Sequence, residues 1–216
     1  AFERHNQVYL AAGAVLDSYQ VYSKAPVKNI GDLEGVKVSG AGPNLLYLKA
    51  AGAVGVKGSL VKYYNNIKTG VSDAAIVWPE AAQSFKIGEV APYMLKADIG
   101  TVTSKVVTAN KDTWNRLPDE VKQVIREVSV DYRDHIANVA MNRAAGSMDW
   151  FKSVGGEVVE MSAEDRAAWA ESMPNIAKDW AGRLEEKGIP ANEILVAFME
   201  ELRANGQTPL RDWDKN

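Results

Sequence analysis

The chain has no cysteine. That excludes disulfides, thiolate metal sites and a cysteine nucleophile, and leaves the compartment open. Histidine is nearly as scarce, with only His5 and His135, so little is available for general-base chemistry. No run approaches the ~18 apolar residues of a membrane span, and no direct membrane insertion is expected. Neither sign of charge dominates. The 25 Lys and Arg against 28 Asp and Glu leave a net charge of -3, which gives no general attraction to nucleic acid. A Gly-x-Ser-x-Gly elbow, a P-loop and a His-Glu-x-x-His pair are all missing, as are internal repeats, low-complexity tracts and flexible linkers. Enzyme classes are thereby disfavoured, and no cofactor is expected.

What remains is ordinary globular material: 216 residues, 46% hydrophobic and 25% charged, enough for one large or two small domains. Opening at Ala1 without methionine or a signal-peptide pattern, the chain reads as a mature, processed or truncated product.

Lys68–Gln83 is the most informative stretch. Gly70 fits the position just past a helix, where a positive φ is free only for glycine. Ala74–Val77 is short and wholly apolar, the signature of a buried strand. Trp78-Pro79 then turns the chain outward at the sheet's carboxyl edge, where open α/β folds place ligands. Upstream, Val15–Tyr22 reads as a strand, and Pro26–Gly35 as a turn-rich connector. Val36–Val38 is a strand entering the turn Gly40-Ala41-Gly42-Pro43, which opens a helix. Val54–Val56 and Leu60–Thr69 follow as strand and helix. This alternation predicts an α/β layer with a mainly parallel sheet.

Val102–Ala109 is β-rich, Asn110 is a good cap, and Asp112–Leu117 a short helix stopped by Pro118. Beyond it Val121, Val124, Ile125, Val128, Tyr132, Ile136 and Val139 keep helical spacing, and nothing breaks the helix before Gly155-Gly156. At ~1.5 Å per residue it runs roughly 50 Å, enough to cross between two lobes. Glu157–Glu160 reads as a strand and Ser162 as a cap. Trp169, Met173, Ile176, Trp180 and Leu184 mark one helical face kinked at Pro174. Ile194, Leu195, Phe198 and Leu202 give the last helix its buried face.

Four passages, in this order, resemble the DctP-type solute-binding proteins of tripartite ATP-independent periplasmic (TRAP) transporters. They are Pro26–Val38; Tyr63-Tyr64 through Thr69–Ala74; Trp78–Ala81 with Ser84–Lys86; and Asn110–Trp114 with Leu117-Pro118 and the long helix. The resemblance runs from about residue 15 to the end. It implies a type II periplasmic-binding-protein fold of two lobes joined by the long helix, closing on a small, usually carboxylate-bearing ligand for delivery to a membrane permease. Family members begin with about a hundred further residues, so one lobe is expected to be incomplete at the N-terminus. The implied division puts hinge strands, connectors and part of the first lobe in 1–34 and 99–130. The ligand-binding core of the second lobe then falls in 35–98, and the rest of the long helix with the C-terminal helices in 131–216. The family places an arginine just after the strand matching Val36–Val38, where it forks onto the ligand carboxylate. This chain has Ser39 there, and serine cannot supply that charge.

The candidate ligand-binding set is Tyr19, Ser39, Gly40, Asn44, Leu60, Tyr64, Trp78 and Pro79. Ser39, Gly40 and Asn44 belong to a small polar turn whose backbone N–H groups suit an anion or hydroxyl. Trp78 offers a stacking face that Pro79 fixes. Adjacent on a helix, Tyr63 and Tyr64 cannot face the same way. Lys57 and Lys62 are the nearest replacements for the missing cation. Asp73 reads as structural, Glu80 as a solvated helix cap, and His135, four residues after Asp131, as a surface residue. The resemblance does not support calcium, since the family's metal-binding branch has an acidic residue shortly after the turn aspartate where this chain has Ala75-Ile76-Val77, and no metal is expected. The leading reading is a non-enzymatic periplasmic receptor for a small organic acid, working with TRAP permease subunits. A ligand-sensing regulatory domain and an enzyme of unidentified class stand as alternatives.

Overall fold

The computed structural model describes residues 2–13, 17–100 and 105–215. Eight strands and eight α-helices are placed among them. In chain order the first are β1 (Gln7–Ala12), β2 (Gln20–Ser23), β3 (Lys37–Gly40), α1 (Gly42–Lys49), β4 (Val54–Lys57), α2 (Tyr63–Thr69), β5 (Ala74–Val77) and α3 (Pro79–Ser84). Then come β6 (Tyr93–Lys96), β7 (Val106–Asn110), α4 (Lys111–Arg116), α5 (Asp119–Ser153), β8 (Glu157–Glu160), α6 (Ala163–Ser172), α7 (Ile176–Glu185) and α8 (Ala191–Ala204).

Six strands form one sheet in the order β4-β3-β5-β2-β6-β8, and β1 pairs with β7 in a separate antiparallel ribbon. The large sheet is mixed. β3 runs parallel to β4 and β5, and β6 parallel to β8, but β2 inserts antiparallel between β5 and β6. The strand expected at Val15–Tyr22 is therefore ordered as β2 only from Gln20. Residues 15–16, like residues 102–104 of the expected strand at Val102–Ala109, lie outside the described residues.

Both faces of the sheet are covered, which explains the unbroken apolar run of β5. Strand side chains alternate faces. Val21, Val38, Ile76 and Leu95 enter one core with Leu33, Leu48 and Trp169. Tyr22, Ala75, Val77 and Met94 enter the other with Ile67, Ile87 and Phe151. Gly70, just past α2, has φ 79 and its N–H bonds to Ile67 O, the left-handed stop its sequence position predicts.

α5 is 35 residues long, about 50 Å at 1.5 Å per residue. It packs on β1 toward one end and on α3 and β8 toward the other, so it does bridge the ribbon and the sheet. Its predicted apolar stripe is not a core face throughout, however. Val121, Val124, Val128 and Tyr132 are exposed, while Ile125, Ile136 and Val139 are half-buried.

Three further expectations are corrected. The helix starting at Leu60 is a 3-10 turn over Leu60–Lys62, with α2 beginning at Tyr63. Pro174 breaks rather than kinks. α6 ends at Ser172, Met173 is extended, and Asn175 caps α7 by accepting from Lys178 N, because proline cannot donate and forces its predecessor extended. In α8 the buried line is Ala191, Leu195 and Met199, while Ile194 and Phe198 are exposed. Among the described residues α7 is the main element packed along that helix, with Trp213 beside it, so one narrow i, i+4 line suffices.

Candidate functional site

The parallel strands β3, β4 and β5 end at the same edge of the sheet. The pairing of Gln20 with Val77 brings the start of β2 to that edge as well. Tyr19, just before β2, thus meets Trp78, just after β5. Their ring centroids lie 5.5 Å apart at 69°, an edge-to-face pair. Trp78 is the extended residue before α3, and the buried Pro79 in the first turn fixes where the indole leaves the sheet. The indole Nε1 is buried and has no hydrogen-bond partner among the described residues. A buried donor left unpaired costs about 1–3 kcal/mol.

Below this pair lies a closed polar network. Ser39, fully buried, donates through Oγ to Ser72 Oγ at 2.9 Å and accepts from Asn66 Nδ2 at 3.1 Å. Its hydroxyl is committed inward. Gly40 is demanded by packing, since a Cβ there would meet Ile76 Cγ2 and Leu45 Cδ2 at 2.7 Å each. Asn44 is buried in α1, its N–H bonded to Ala41 O. Asp73 accepts the backbone N–H of Lys37 at 3.3 Å, the structural part expected of it.

The two adjacent tyrosines split. Tyr64 turns toward Glu89, its hydroxyl 3.3 Å from Oε2, with Lys68 over its ring. Tyr63 is buried, and its hydroxyl pKa is pushed up to about 12, first by desolvation and then by Tyr19 nearby. Burial also raises Tyr47 of α1, with Tyr19 again the second cause. Tyr63 and Tyr47 therefore share the electrostatic neighbourhood of Tyr19, and helical spacing alone cannot tell which of two adjacent tyrosines turns inward. Leu60 is half-buried against the core that also supports Trp78 and Tyr64. Tyr22 goes elsewhere, fully buried edge-to-face on Phe151 at 5.3 Å.

For positive charge, Lys57 closes β4 directly opposite Gly40. Its Nζ reaches to 4.0 Å from where a side chain on Gly42 would begin, which sets an ammonium over the turn at the start of α1. Lys62 is exposed on the 3-10 turn before α2. Glu80 pairs with Arg143 of α5 at 3.2 Å, and His135 is exposed on α5. Such a set can bind, through an aromatic wall and a cation at the end of β4.

Residues 1–183 match the bacterial extracellular solute-binding protein family 7, DctP. The chain belongs to that family. The C4-dicarboxylate-binding periplasmic protein DctP of Rhodobacter capsulatus is 26% identical over 151 residues, 69% of this chain and 45% of that protein. A TRAP periplasmic solute-binding protein from Desulfovibrio salexigens superposes with a TM-score of 0.83 at 21% identity, covering 97% of this chain and 66% of the other. One from Sulfitobacter sp., with bound beta-D-galacturonate, gives 0.73 at 23% identity over 88% of this chain and 63% of the other. The α/β periplasmic-binding fold is thus shared, while the chain spans less than half the length of the curated DctP relative. No helix among the described residues is long and apolar enough to cross a membrane.

Proposed function

We propose that this DctP-family chain captures a small polar organic acid outside the cytoplasm, in the periplasm, and hands it to the permease of a TRAP transporter without chemical turnover. The observation that carries the reading is the Tyr19–Trp78 edge-to-face pair at the sheet edge where the carboxyl ends of three strands converge, in a chain of this family. Two relatives support the acid. One is named for C4-dicarboxylates and another holds a galacturonate.

In this reading Tyr19 and Trp78 grip the ligand, and Pro79 holds the tryptophan in place. Ser39, Gly40 and Asn44 make the floor, and Leu60 and Tyr64 the rim. The arginine expected at position 39 would have to occupy a fully enclosed site already filled by the Ser72–Asn66 network. Lys57 supplies the positive charge instead, from the neighbouring strand. A lysine is a point charge rather than a fork, so the carboxylate is held with less directional selectivity.

Native against denaturing mass spectrometry tests this, with the protein offered galacturonate and a C4-dicarboxylate. The expected result is a one-to-one adduct of an acid, lost on denaturation and lost in Trp78→Ala. Bare protein with every acid, or a chemically changed acid, would contradict it.

A further inference from the structure

The turn that follows β6 has a strained backbone. Asp98 sits at φ 49 and Gly100 at φ 68, and the Gly100 N–H closes the turn on Asp98 O at 2.7 Å. Glycine adopts that region freely, whereas an aspartate tolerates it at a cost and stays there only where its surroundings hold it. What holds it is Gln20, the first residue of β2, which is buried. Its Oε1 accepts the Asp98 backbone N–H at 3.0 Å, and its Nε2 donates to Asp98 Oδ1 at 2.8 Å. The other carboxylate oxygen, Oδ2, faces Arg166 Nη2 of α6 at 3.5 Å. Asp98 is thus fixed through its backbone and through both oxygens.

The same turn holds Tyr19. The Tyr19 carbonyl accepts from Ile99 N–H at 3.1 Å, and the Tyr19 N–H donates to Gly100 O at 3.2 Å. Tyr19 and Gln20 are neighbours in sequence, so the backbone of one and the side chain of the other grip a single turn. A tyrosine side chain has few rotamers, and its aim is set by where the backbone stands. Here the backbone stands against the turn, and the ring meets Trp78 edge-to-face. The fold alone would be served by glycine at 98, as it is at 100. What the aspartate adds is the acceptor that anchors the Gln20 amide.

We propose that Asp98, acting through Gln20, is a positioning residue for Tyr19: the pair locks the turn and so keeps the Tyr19 ring against Trp78 where the acid is gripped. This rests on the acid-binding reading above and adds to it a residue that touches no ligand.

Three substitutions at Asp98 separate positioning from plain stability. Asp98→Asn keeps an oxygen for Gln20 Nε2 and tolerates the positive φ. Asp98→Gly relieves the backbone but loses the oxygen, and Asp98→Ala loses the oxygen and keeps the strain. Fluorine NMR of protein labelled with 3-fluorotyrosine reports on all eight tyrosines, and the Tyr19 signal is the one missing from Tyr19→Phe. Lying beside the Trp78 indole, it senses any movement of the pair through the ring current. The expected result is a shifted or broadened Tyr19 signal in Asp98→Gly and Asp98→Ala, and the wild-type position in Asp98→Asn. Titration of galacturonate and succinate should follow that signal and not the melting temperature. Affinity should fall at least about fivefold in Asp98→Gly and Asp98→Ala alike, as for loss of one hydrogen bond, and stay within about twofold in Asp98→Asn, although Asp98→Gly melts above Asp98→Ala. A Tyr19 signal unmoved in Asp98→Gly would overturn the proposal whether or not an acid binds, and so would full acid affinity in Asp98→Gly. Failure of the wild type to bind either acid, with a Tyr19 signal that does move, would overturn the acid reading and this role with it.

Discussion

Ser39→Ala should destabilise the protein by about 2 kcal/mol, although it removes only one oxygen. Ser39 and Ser72 are both fully buried, and their hydroxyls bond to each other at 2.9 Å. Without Ser39, the Ser72 hydroxyl is left unpaired in the core, at a cost of about 1–3 kcal/mol. Asn66, half-buried, also loses the acceptor it holds at 3.1 Å, but water can replace part of that. In a chain of this size 2 kcal/mol lowers Tm by roughly 4–8 °C. The double variant Ser39→Ala/Ser72→Ala removes both partners together, so it should be no less stable than Ser39→Ala alone, with a coupling of about 1–2 kcal/mol. Urea unfolding of the wild type, both single variants and the double variant measures this. Additive single effects, or a Ser39→Ala loss under about 0.5 kcal/mol, would refute the closed network and return the Ser39 hydroxyl to the ligand.

Gly40→Ala should cost about 1–3 kcal/mol by overpacking, because its Cβ would press on Ile76 and Leu45 at 2.7 Å; an unchanged denaturation midpoint would contradict the close approach. Trp78→Phe removes a buried donor that has no partner among the described residues, so the free protein should keep or gain stability, while the smaller ring beside Tyr19 should weaken acid binding, read by urea unfolding and titration calorimetry side by side. Asp17 has its pKa raised, chiefly by burial and then by Asp98, against the lowering effect of the Ser18 N–H and Lys96. The folded state therefore binds its proton more tightly than the unfolded one, and stability is lost as pH rises through the raised value. Asp17→Asn should accordingly raise Tm at neutral pH, with the gain vanishing below about pH 4; a constant gain at every pH would contradict this.

Much of the fold is legible because it rests on local rules. Gly70 announces a left-handed stop, Ala74–Val77 a strand buried on both faces, Asn110 and Ser162 their caps, and Pro118 the start of the long helix. What escapes is set by partners distant in sequence. Nothing near Gln20–Ser23 says that β2 will insert antiparallel between β5 and β6, yet that insertion brings Tyr19 to Trp78. Periodicity finds the stripe on α5 but not whether anything covers Val124 or Val128. Likewise the polar residues around Ser39 suggest a ligand loop, and only the depth of Ser72 and Asn66 reveals a closed network. The choice of Tyr63 over Tyr64 as neighbour of Tyr19, and the unpaired indole N–H of Trp78, have no signature in sequence.

Titration calorimetry of galacturonate and C4-dicarboxylates into the protein, repeated with Lys57→Glu, tests the central claim most directly. The account predicts one-to-one binding of at least one acid, weakened by salt and by at least about fivefold on charge reversal, since even a solvent-exposed ion pair at ~4 Å carries about that factor. Absence of binding to all of them, or binding indifferent to Lys57→Glu and to salt, would contradict it.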